Sequence, residues 1–149
     1  MSKDQPYRIF VSHAWHPHDD YTRLFEYLGD AKDFFYVNLS TPDVPPTDAS
    51  RIGIEAALTR QIGPAEVVII LGGLYDAHKD MVELQMAIAK KHGKPIIGLR
   101  PSGSQVIPKG IEQRANEIVV WSERTIVDAI KLLARGEQTN RFEVIDFDG

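Results

Sequence analysis

One acidic side chain, Glu83, stands where chemistry is most readily expected. It follows a predicted strand at residues 66–71 that is continuously apolar after Glu66 and is followed by the pair Gly72-Gly73. Such a segment is typical of a buried parallel strand, and ligands of parallel sheets bind at the loops and helix starts beyond the strands' carboxyl ends. Apolar residues flank Glu83 on both sides, and a carboxylate in apolar surroundings is poorly solvated. The pattern therefore predicts a desolvated acid suited to catalysis.

The ordinary alternative for Glu83 is a structural one. A glutamate near a helix N-terminus is stabilised by the helix dipole, and it can also pair with a nearby lysine. Most glutamates in helices are solvated in this way. The sequence leaves both interpretations open.

A run of imidazoles and carboxylates at residues 13–20 has enough donors for a metal ion. It contains His13, His16, His18, Asp19 and Asp20. These residues lie in a predicted loop, without the i, i+4 spacing that places two histidines on one helix face, and without an HExxH-like order. We therefore expect no metal site, but a polar loop that leads into a helix capped by Asp19 or Asp20.

The elements that must position these residues alternate regularly along the chain. Runs of β-branched and aromatic residues predict strands at residues 7–12, 34–39, 66–71, 95–99 and 117–121. Helical spacing and capping residues predict helices at residues 20–28, 50–62 (with Asp48 or Ser50 as the cap), 76–91 and 123–134. This alternation predicts an α/β fold: a three-layer sandwich around a five-stranded parallel sheet in the flavodoxin-like order 2-1-3-4-5. A further edge strand is possible at residues 142–145.

That strand order places the switch point of the sheet between the first and third strands. The carboxyl ends of these two strands hold Ser12-His13 and Gly72-Gly73, and the loop at residues 38–51 would overhang the same crevice. Glu83, in the second turn of its helix, would lie near the mouth. The topology thus predicts that three loops and one acid converge.

Composition sets limits on the class of protein. The 149 residues suit one domain, which we place at residues 1–136 with a polar tail at 137–149. A net charge of −4 gives no electrostatic reason to expect a nucleic-acid partner. The absence of cysteine excludes disulfides, thiolate nucleophiles and cysteine-rich zinc sites. No apolar run approaches the roughly 18 residues of a membrane span, so we expect a cytoplasmic protein without a membrane partner.

Several segments, taken in order, carry a family resemblance. Strand one ends in Phe-Val-Ser-His-Ala at residues 10–14, a proline-bearing loop follows strand two, and Lys-Pro-Ile-Ile-Gly-Leu at residues 94–99 follows Glu83. Over residues 7–134 the chain resembles the TIR domain family, and it looks most like the bacterial TIR-like proteins of the Thoeris anti-phage defence system, the ThsB proteins. Residues 79–82 replace the family's usual Ser-x-Trp-Cys, and the proline-bearing loop lacks a clear Asp-x-x-Pro-Gly. Both departures favour a TIR-like branch over the animal receptor type.

The resemblance implies a reaction and a site. Catalytic members cleave the nicotinamide–ribose bond of NAD, which is then the substrate and not a cofactor. Carried over, Glu83 would bind the ribose hydroxyls and stabilise an oxocarbenium-like transition state, as carboxylates do in glycosidases. Among the pocket residues, Tyr75 would stack on a base and Arg51 would reach a phosphate. The residues that the resemblance places in the pocket are Ser12, His13, Asn38, Asp48, Arg51, Gly72 and Tyr75.

The resemblance also implies partners. Catalytic TIR domains generally assemble to complete the pocket, so we expect a homo-oligomer held by TIR–TIR contacts. In defence members the product is a cyclised or conjugated ADP-ribose signal, which activates a separate effector.

Two other functions remain open. One is a non-catalytic TIR module that binds partners through its helix and loop surfaces. The other is a nucleoside 2-deoxyribosyltransferase, which the chain also resembles from Asp76 through Glu83 to residues 93–96, although that family's Asp-Gly-Thr signature is missing. In that family a helix glutamate is the nucleophile, whereas in an interaction module Glu83→Gln would be silent.

Overall fold

Five parallel strands form the sheet at the centre of the molecule. The computed structural model describes residues 4–104 and 106–137. The order across the sheet is β2-β1-β3-β4-β5, and each neighbouring pair is parallel. The predicted α/β class and strand order are confirmed. The strands are β1 (Tyr7–Val11), β2 (Tyr36–Asn38), β3 (Val67–Leu71), β4 (Ile96–Leu99) and β5 (Glu117–Val119).

Helices cover both faces of the sheet. Because right-handed crossovers that run in opposite directions across the sheet use opposite faces, α1 covers one face, while α2 and α4 cover the other and contact each other. The last helix, α6, packs against α1. The helices in the described part of the chain are α1 (Asp19–Asp30), α2 (Arg51–Ile62), α3 (Gly72–Tyr75), α4 (Lys79–Lys91), α5 (Lys109–Arg114) and α6 (Glu123–Arg135).

The central strand β3 is the core of the domain. None of its five residues is more than 1% exposed, because helices cover both of its faces. Burying a valine, leucine or isoleucine side chain contributes roughly 1.5–3 kcal/mol, so this one strand anchors the sheet. The edge strand β2 is shorter than predicted, and Phe34, expected within it, instead stacks on the ring of Tyr7 with a centroid separation of 5.4 Å.

Two helix starts differ from the predictions and two agree, those of α2 and of α6, which begins at Glu123 as predicted. Instead of Asp19 or Asp20, His18 caps α1, where its Nδ1 accepts a hydrogen bond from the backbone N–H of Asp20 at 3.1 Å. The helix predicted at residues 76–91 begins later, at Lys79 (α4), and the short helix α3 ends at Tyr75, before the predicted start. At α2 the predicted Ser50 is the cap, and its Oγ accepts from the N–H of Gly53 at 3.2 Å.

The end of α6 contacts the sheet at the amino-terminal ends of β1 and β3. Arg135 donates to both carboxylate oxygens of Glu66, at 2.8 and 3.0 Å, and its guanidinium lies 4.0 Å from the ring centroid of Tyr7. The bidentate pairing with Arg135 lowers the pKa of Glu66.

The possible strand at residues 142–145 lies outside the described residues. In the ranges that the structure covers, no helix has both the length and the apolar character needed to cross a membrane.

Candidate functional site

Ser12 joins the two strands that flank the switch point. Its N–H donates to the carbonyl of Ile69 at 2.9 Å, and its buried Oγ accepts from the N–H of Leu71 at 2.8 Å. The next residue, Gly72, lies so close to β4 that a Cβ there would come within 2.7 Å of the carbonyl oxygen of Leu99. Both predicted site residues therefore lie at the switch point, where they hold the strand ends together.

His13 follows Ser12 and is also buried. Its Nδ1 accepts a hydrogen bond from the N–H of Trp15 at 3.4 Å, so the proton of the neutral ring lies on Nε2, which donates to Oε1 of Gln61 at 2.9 Å. Burial lowers the pKa of His13 despite that hydrogen bond. The imidazole is therefore a neutral group in a fixed orientation.

The side chain of α4 that reaches this buried region is Gln85, not Glu83. Its Nε2 donates to the carbonyl of His13 at 2.6 Å, and the residue is fully buried. Its Oε1 finds no hydrogen-bond partner among the described residues. An unpartnered buried acceptor costs about 1–3 kcal/mol, so Oε1 is poised to accept a hydrogen bond from a ligand or a water molecule.

Sequence reasoning missed Gln85, although a signal was present. Val82, Gln85, Met86 and Ala89 fall at the i, i+3, i+4, i+7 positions of one helix face, and all four are buried. A polar residue within a core stripe needs a partner and is therefore a candidate for a site.

Glu83 lies on the other flank of α4. Side chains two positions apart in an α-helix point about 200° apart, so Glu83 and Gln85 face different neighbours. Oε2 of Glu83 accepts a hydrogen bond from the hydroxyl of Tyr75 and lies 3.9 Å from Nη1 of Arg114. The Glu83 side chain is 33% exposed. The prediction of a poorly solvated acid is therefore wrong, because two of its apolar neighbours, Val82 and Met86, point into the core and not towards it.

Tyr75 and Arg114 contact the Glu83 carboxylate, and Gly110 contacts both of these residues. The hydrogen bond to Glu83 raises the pKa of Tyr75, so the phenol keeps its proton and donates it. Arg114 Nη1 also donates to the carbonyl of Gly110 at 2.8 Å. A Cβ at Gly110 would lie 2.2 Å from the Tyr75 hydroxyl oxygen, so only glycine allows this approach. Arg114 was not predicted, because it reaches the site from a helix that the sequence pattern barely marks.

The loop after β2 does overhang the switch point, as predicted. The N–H of Thr41 donates to Oε1 of Gln61 at 3.0 Å, which links the loop to the hydrogen bonds of His13. The indole N–H of Trp15 donates to the carbonyl of Val44 at 2.9 Å, and Trp15 adopts a left-handed φ of 58°. The loops after β1 and β2 are therefore tied to each other directly.

Three predicted site residues lie in or next to this loop: Asn38, Asp48 and Arg51. Among the described residues, none of the three shows an interaction with Glu83. Asn38 bonds to Tyr21. Asp48 accepts from the backbone N–H of Ser50 at 3.0 Å, which lowers the pKa of Asp48, and Arg51 begins α2 as an exposed residue. The predicted residues thus fall into three places: the switch point (Ser12, His13, Gly72), the loop after β2 (Asn38, Asp48, Arg51), and the contact between Tyr75 and Glu83.

The histidines of residues 13–18 each have a different neighbour. His13 bonds to Gln61, His16 stacks on His78 at 5.7 Å, and His18 caps α1. Within residues 4–104 and 106–137, no group of three or more His, Cys, Asp or Glu side chains could hold a metal ion.

Comparison with protein families adds the decisive observation. Residues 10–106, about two-thirds of the chain, match the family described as Thoeris protein ThsB, TIR-like domain. The chain belongs to this family. Comparison with curated proteins gives no match. The match to the Thoeris TIR-like domain runs from β1 through β4 and includes both Glu83 and Gln85. It stops before α5, so the contact of Arg114 with Glu83 lies partly outside the matched region.

Proposed function

We propose that this Thoeris TIR-like protein cleaves the nicotinamide–ribose bond of NAD, with Glu83 as the catalytic carboxylate. The observation that carries the proposal is the geometry of Glu83: a partly exposed carboxylate in the second turn of α4, held by the Tyr75 hydroxyl. Both of its polar contacts use Oε2. Oε1 is thus the atom we assign to the ribose hydroxyls of the substrate.

The chemistry requires negative charge more than it requires a proton donor. When the bond between ribose C1 and the pyridinium nitrogen breaks, its electron pair leaves with nicotinamide, which becomes neutral, and positive charge develops on the ribose ring. A fixed carboxylate stabilises that charge in the transition state. Attack on C1 by water, or by a hydroxyl of the same or another molecule, completes the reaction and releases one proton. The products are then ADP-ribose, a cyclic isomer or a conjugate.

Tyr75 serves as a positioning residue in this proposal. Its hydroxyl stays protonated beside the carboxylate, because the hydrogen bond to Glu83 raises the pKa of Tyr75. A donor in that position fixes the rotamer of Glu83 and leaves its Oε1 for the substrate. The proposal also includes homo-oligomerisation through TIR–TIR contacts and a separate effector that binds the nucleotide product.

One observation favours a second candidate, a non-catalytic module that binds a ligand or a partner. The side chain of α4 that reaches the switch point is the neutral Gln85, and its Oε1 is free to accept a hydrogen bond. An amide can hold a polar ligand there, but it cannot supply the negative charge that bond cleavage needs.

Nicotinamide release separates the two candidates. Wild type, Glu83→Gln and the control Glu112→Gln, an exposed acid on α5, are incubated with NAD at high protein concentration with a crowding agent, and products are identified by liquid chromatography and mass spectrometry. We expect Glu83→Gln to lower the rate at least ~10²-fold while the protein stays folded and its free energy of unfolding changes by no more than about 1 kcal/mol, since the charge acts mainly in the transition state. The control keeps its rate.

Equal rates in wild type and Glu83→Gln would overturn the assignment of Glu83. Complete inactivity of the wild type, together with saturable NAD binding, would favour the non-catalytic module. A covalent adduct of Glu83 formed with a deoxynucleoside would instead identify a deoxyribosyltransferase.

A further inference from the structure

A groove lies away from Glu83, between α1 and the loop after β2. Its volume is about 630 Å³, which is within the range of small-molecule sites. Tyr21 and Phe25 of α1 line it with tilted rings whose centroids are 5.0 Å apart, and Val44 lines it from the loop. We refer to it as the α1 groove.

A closed ring of hydrogen bonds fixes the polar side of the α1 groove. Asn38 Nδ2 donates to the Tyr21 hydroxyl at 3.0 Å, the Tyr21 hydroxyl donates to Ser40 Oγ at 2.7 Å, and Ser40 Oγ donates to Asn38 Oδ1. The N–H of Ser40 also donates to Asn38 Oδ1 at 3.0 Å. These side chains satisfy one another, so their orientation is set before any ligand binds. A preformed site loses little conformational entropy on binding.

The charge of the α1 groove has one sign. Glu26 and Asp43 are among its ten lining residues, and no lysine, arginine or histidine is. Both carboxylates are exposed at the rim, while the aromatic rings lie beside them. Aromatic faces and carboxylates both attract cations, and together they discriminate against anions.

We propose that the α1 groove is a binding site for a small planar organic cation, an aromatic or amidinium compound. The ring would lie against Tyr21 and Phe25, and its positive charge would face Glu26 and Asp43. We assign a free small molecule to the groove because one planar cation can contact both the aromatic rings and the two carboxylates. Glu83 is not among the residues that line the groove, and Asn38 is the one residue that the groove shares with the substrate pocket implied by the family resemblance.

A pair of isosteric probes tests the proposal. Benzamidinium and neutral benzamide have nearly the same shape, and they are titrated into the full chain at low ionic strength while backbone amide shifts are followed by NMR. We expect benzamidinium to perturb the amides of Thr22, Ser40 and Thr41 with a Kd on the order of 1 mM, and to bind at least ~10-fold more tightly than benzamide.

The double variant Glu26→Gln/Asp43→Asn should remove this preference, whereas the control Glu123→Gln, an exposed acid on α6, should keep it. Both changes in the double variant are at exposed positions, and its amide spectrum reports directly whether it remains folded. Equal affinities for the two probes would overturn the proposal. So would an unchanged preference in the double variant, or shifts confined to residues outside the α1 groove.

Discussion

Two polar side chains of α4, Gln85 and Glu83, lie on different flanks of the helix in different surroundings. On one flank Gln85 is fully buried, neutral and bonded to the carbonyl of His13. On the other flank Glu83 is charged, 33% exposed, and within reach of Tyr75 and Arg114. Only two positions separate them in the sequence. The difference shows that the side of the helix a residue faces, and not the apolar residues next to it in sequence, decides its solvation.

This difference follows from the cost of burying charge. An isolated carboxylate in the position of Gln85 would lose its water without gaining a cation, and such a group is strongly disfavoured. Glu83 keeps part of its hydration and has Arg114 Nη1 at 3.9 Å. The carboxylate of Glu83 therefore lies on the partly exposed flank of α4, which we call the open flank. The amide of Gln85 lies on the buried flank, which we call the closed flank. Exchanging the two groups is the most direct way to break the comparison.

The largest effect is expected from Gln85→Glu, with Glu83→Gln as the matched control. We expect Gln85→Glu to lower the free energy of unfolding by about 2–4 kcal/mol near pH 8, because it buries a charge. Burial raises the folded-state pKa of the new carboxyl above its unfolded value of about 4.3. The loss should therefore be small near pH 4 and grow as the pH rises.

Urea denaturation at pH 5 and pH 8 measures this loss. The control Glu83→Gln should change the free energy of unfolding by no more than about 1 kcal/mol, since a partly exposed ion pair contributes little. Equal losses in the two variants would mean that the two flanks do not differ in solvation.

A smaller loss is expected from Gly110→Ala, which tests the open flank. The new methyl group would overlap the Tyr75 hydroxyl, where the Cβ-to-oxygen distance would be 2.2 Å, so α5 or Tyr75 must shift. We expect a loss of about 1–3 kcal/mol in urea denaturation, as for other overpacked sites. The control Gly29→Ala adds the same methyl group to α1, where no heavy atom lies within 4 Å, and should stabilise by up to about 1 kcal/mol. A neutral Gly110→Ala would show that α5 does not pack tightly on Tyr75.

The sequence predicted the sheet well and the site only in part, for physical reasons that differ. The uninterrupted run of β3 is buried on both faces, so local composition alone marks it. The environment of Glu83 depends on the direction of each side chain around α4, and neighbours in sequence do not report that direction. Arg114 approaches from α5, and only the folded chain brings the two helices together. The buried role of Gln85, by contrast, was visible in the spacing of Val82, Met86 and Ala89.

A smaller loss of stability is expected from Tyr75→Phe, which tests whether the Tyr75 hydroxyl positions the Glu83 carboxylate. It removes the hydrogen bond to Glu83 and keeps the ring, so we expect a loss of about 0.5–1.5 kcal/mol in the free energy of unfolding. If Glu83 is catalytic as proposed, the rate of nicotinamide release should fall by about tenfold with little change in KM, since orientation acts on the chemical step. Tyr27→Phe, whose ring packs edge-on against Trp121 at 5.4 Å, is the control and should keep the rate. An unchanged rate in Tyr75→Phe would show that the phenol does not position the carboxylate.

The smallest effect concerns His13 on the closed flank and takes the form of a pH dependence. Burial lowers the pKa of His13 below its unfolded value of about 6.5. The unfolded chain then binds the proton more readily, so this residue's contribution to stability is complete above about pH 6.5 and is lost as the pH falls towards the folded-state pKa. Thermal unfolding between pH 5 and pH 8 should therefore show a steeper decline on the acid side in wild type than in His13→Gln. His16→Gln, at an exposed position, should keep the steeper decline of the wild type. Parallel curves for wild type and His13→Gln would mean that the imidazole accepts a proton without opening the closed flank, and that the hydrogen bonds from Trp15 and to Gln61 do not hold it neutral.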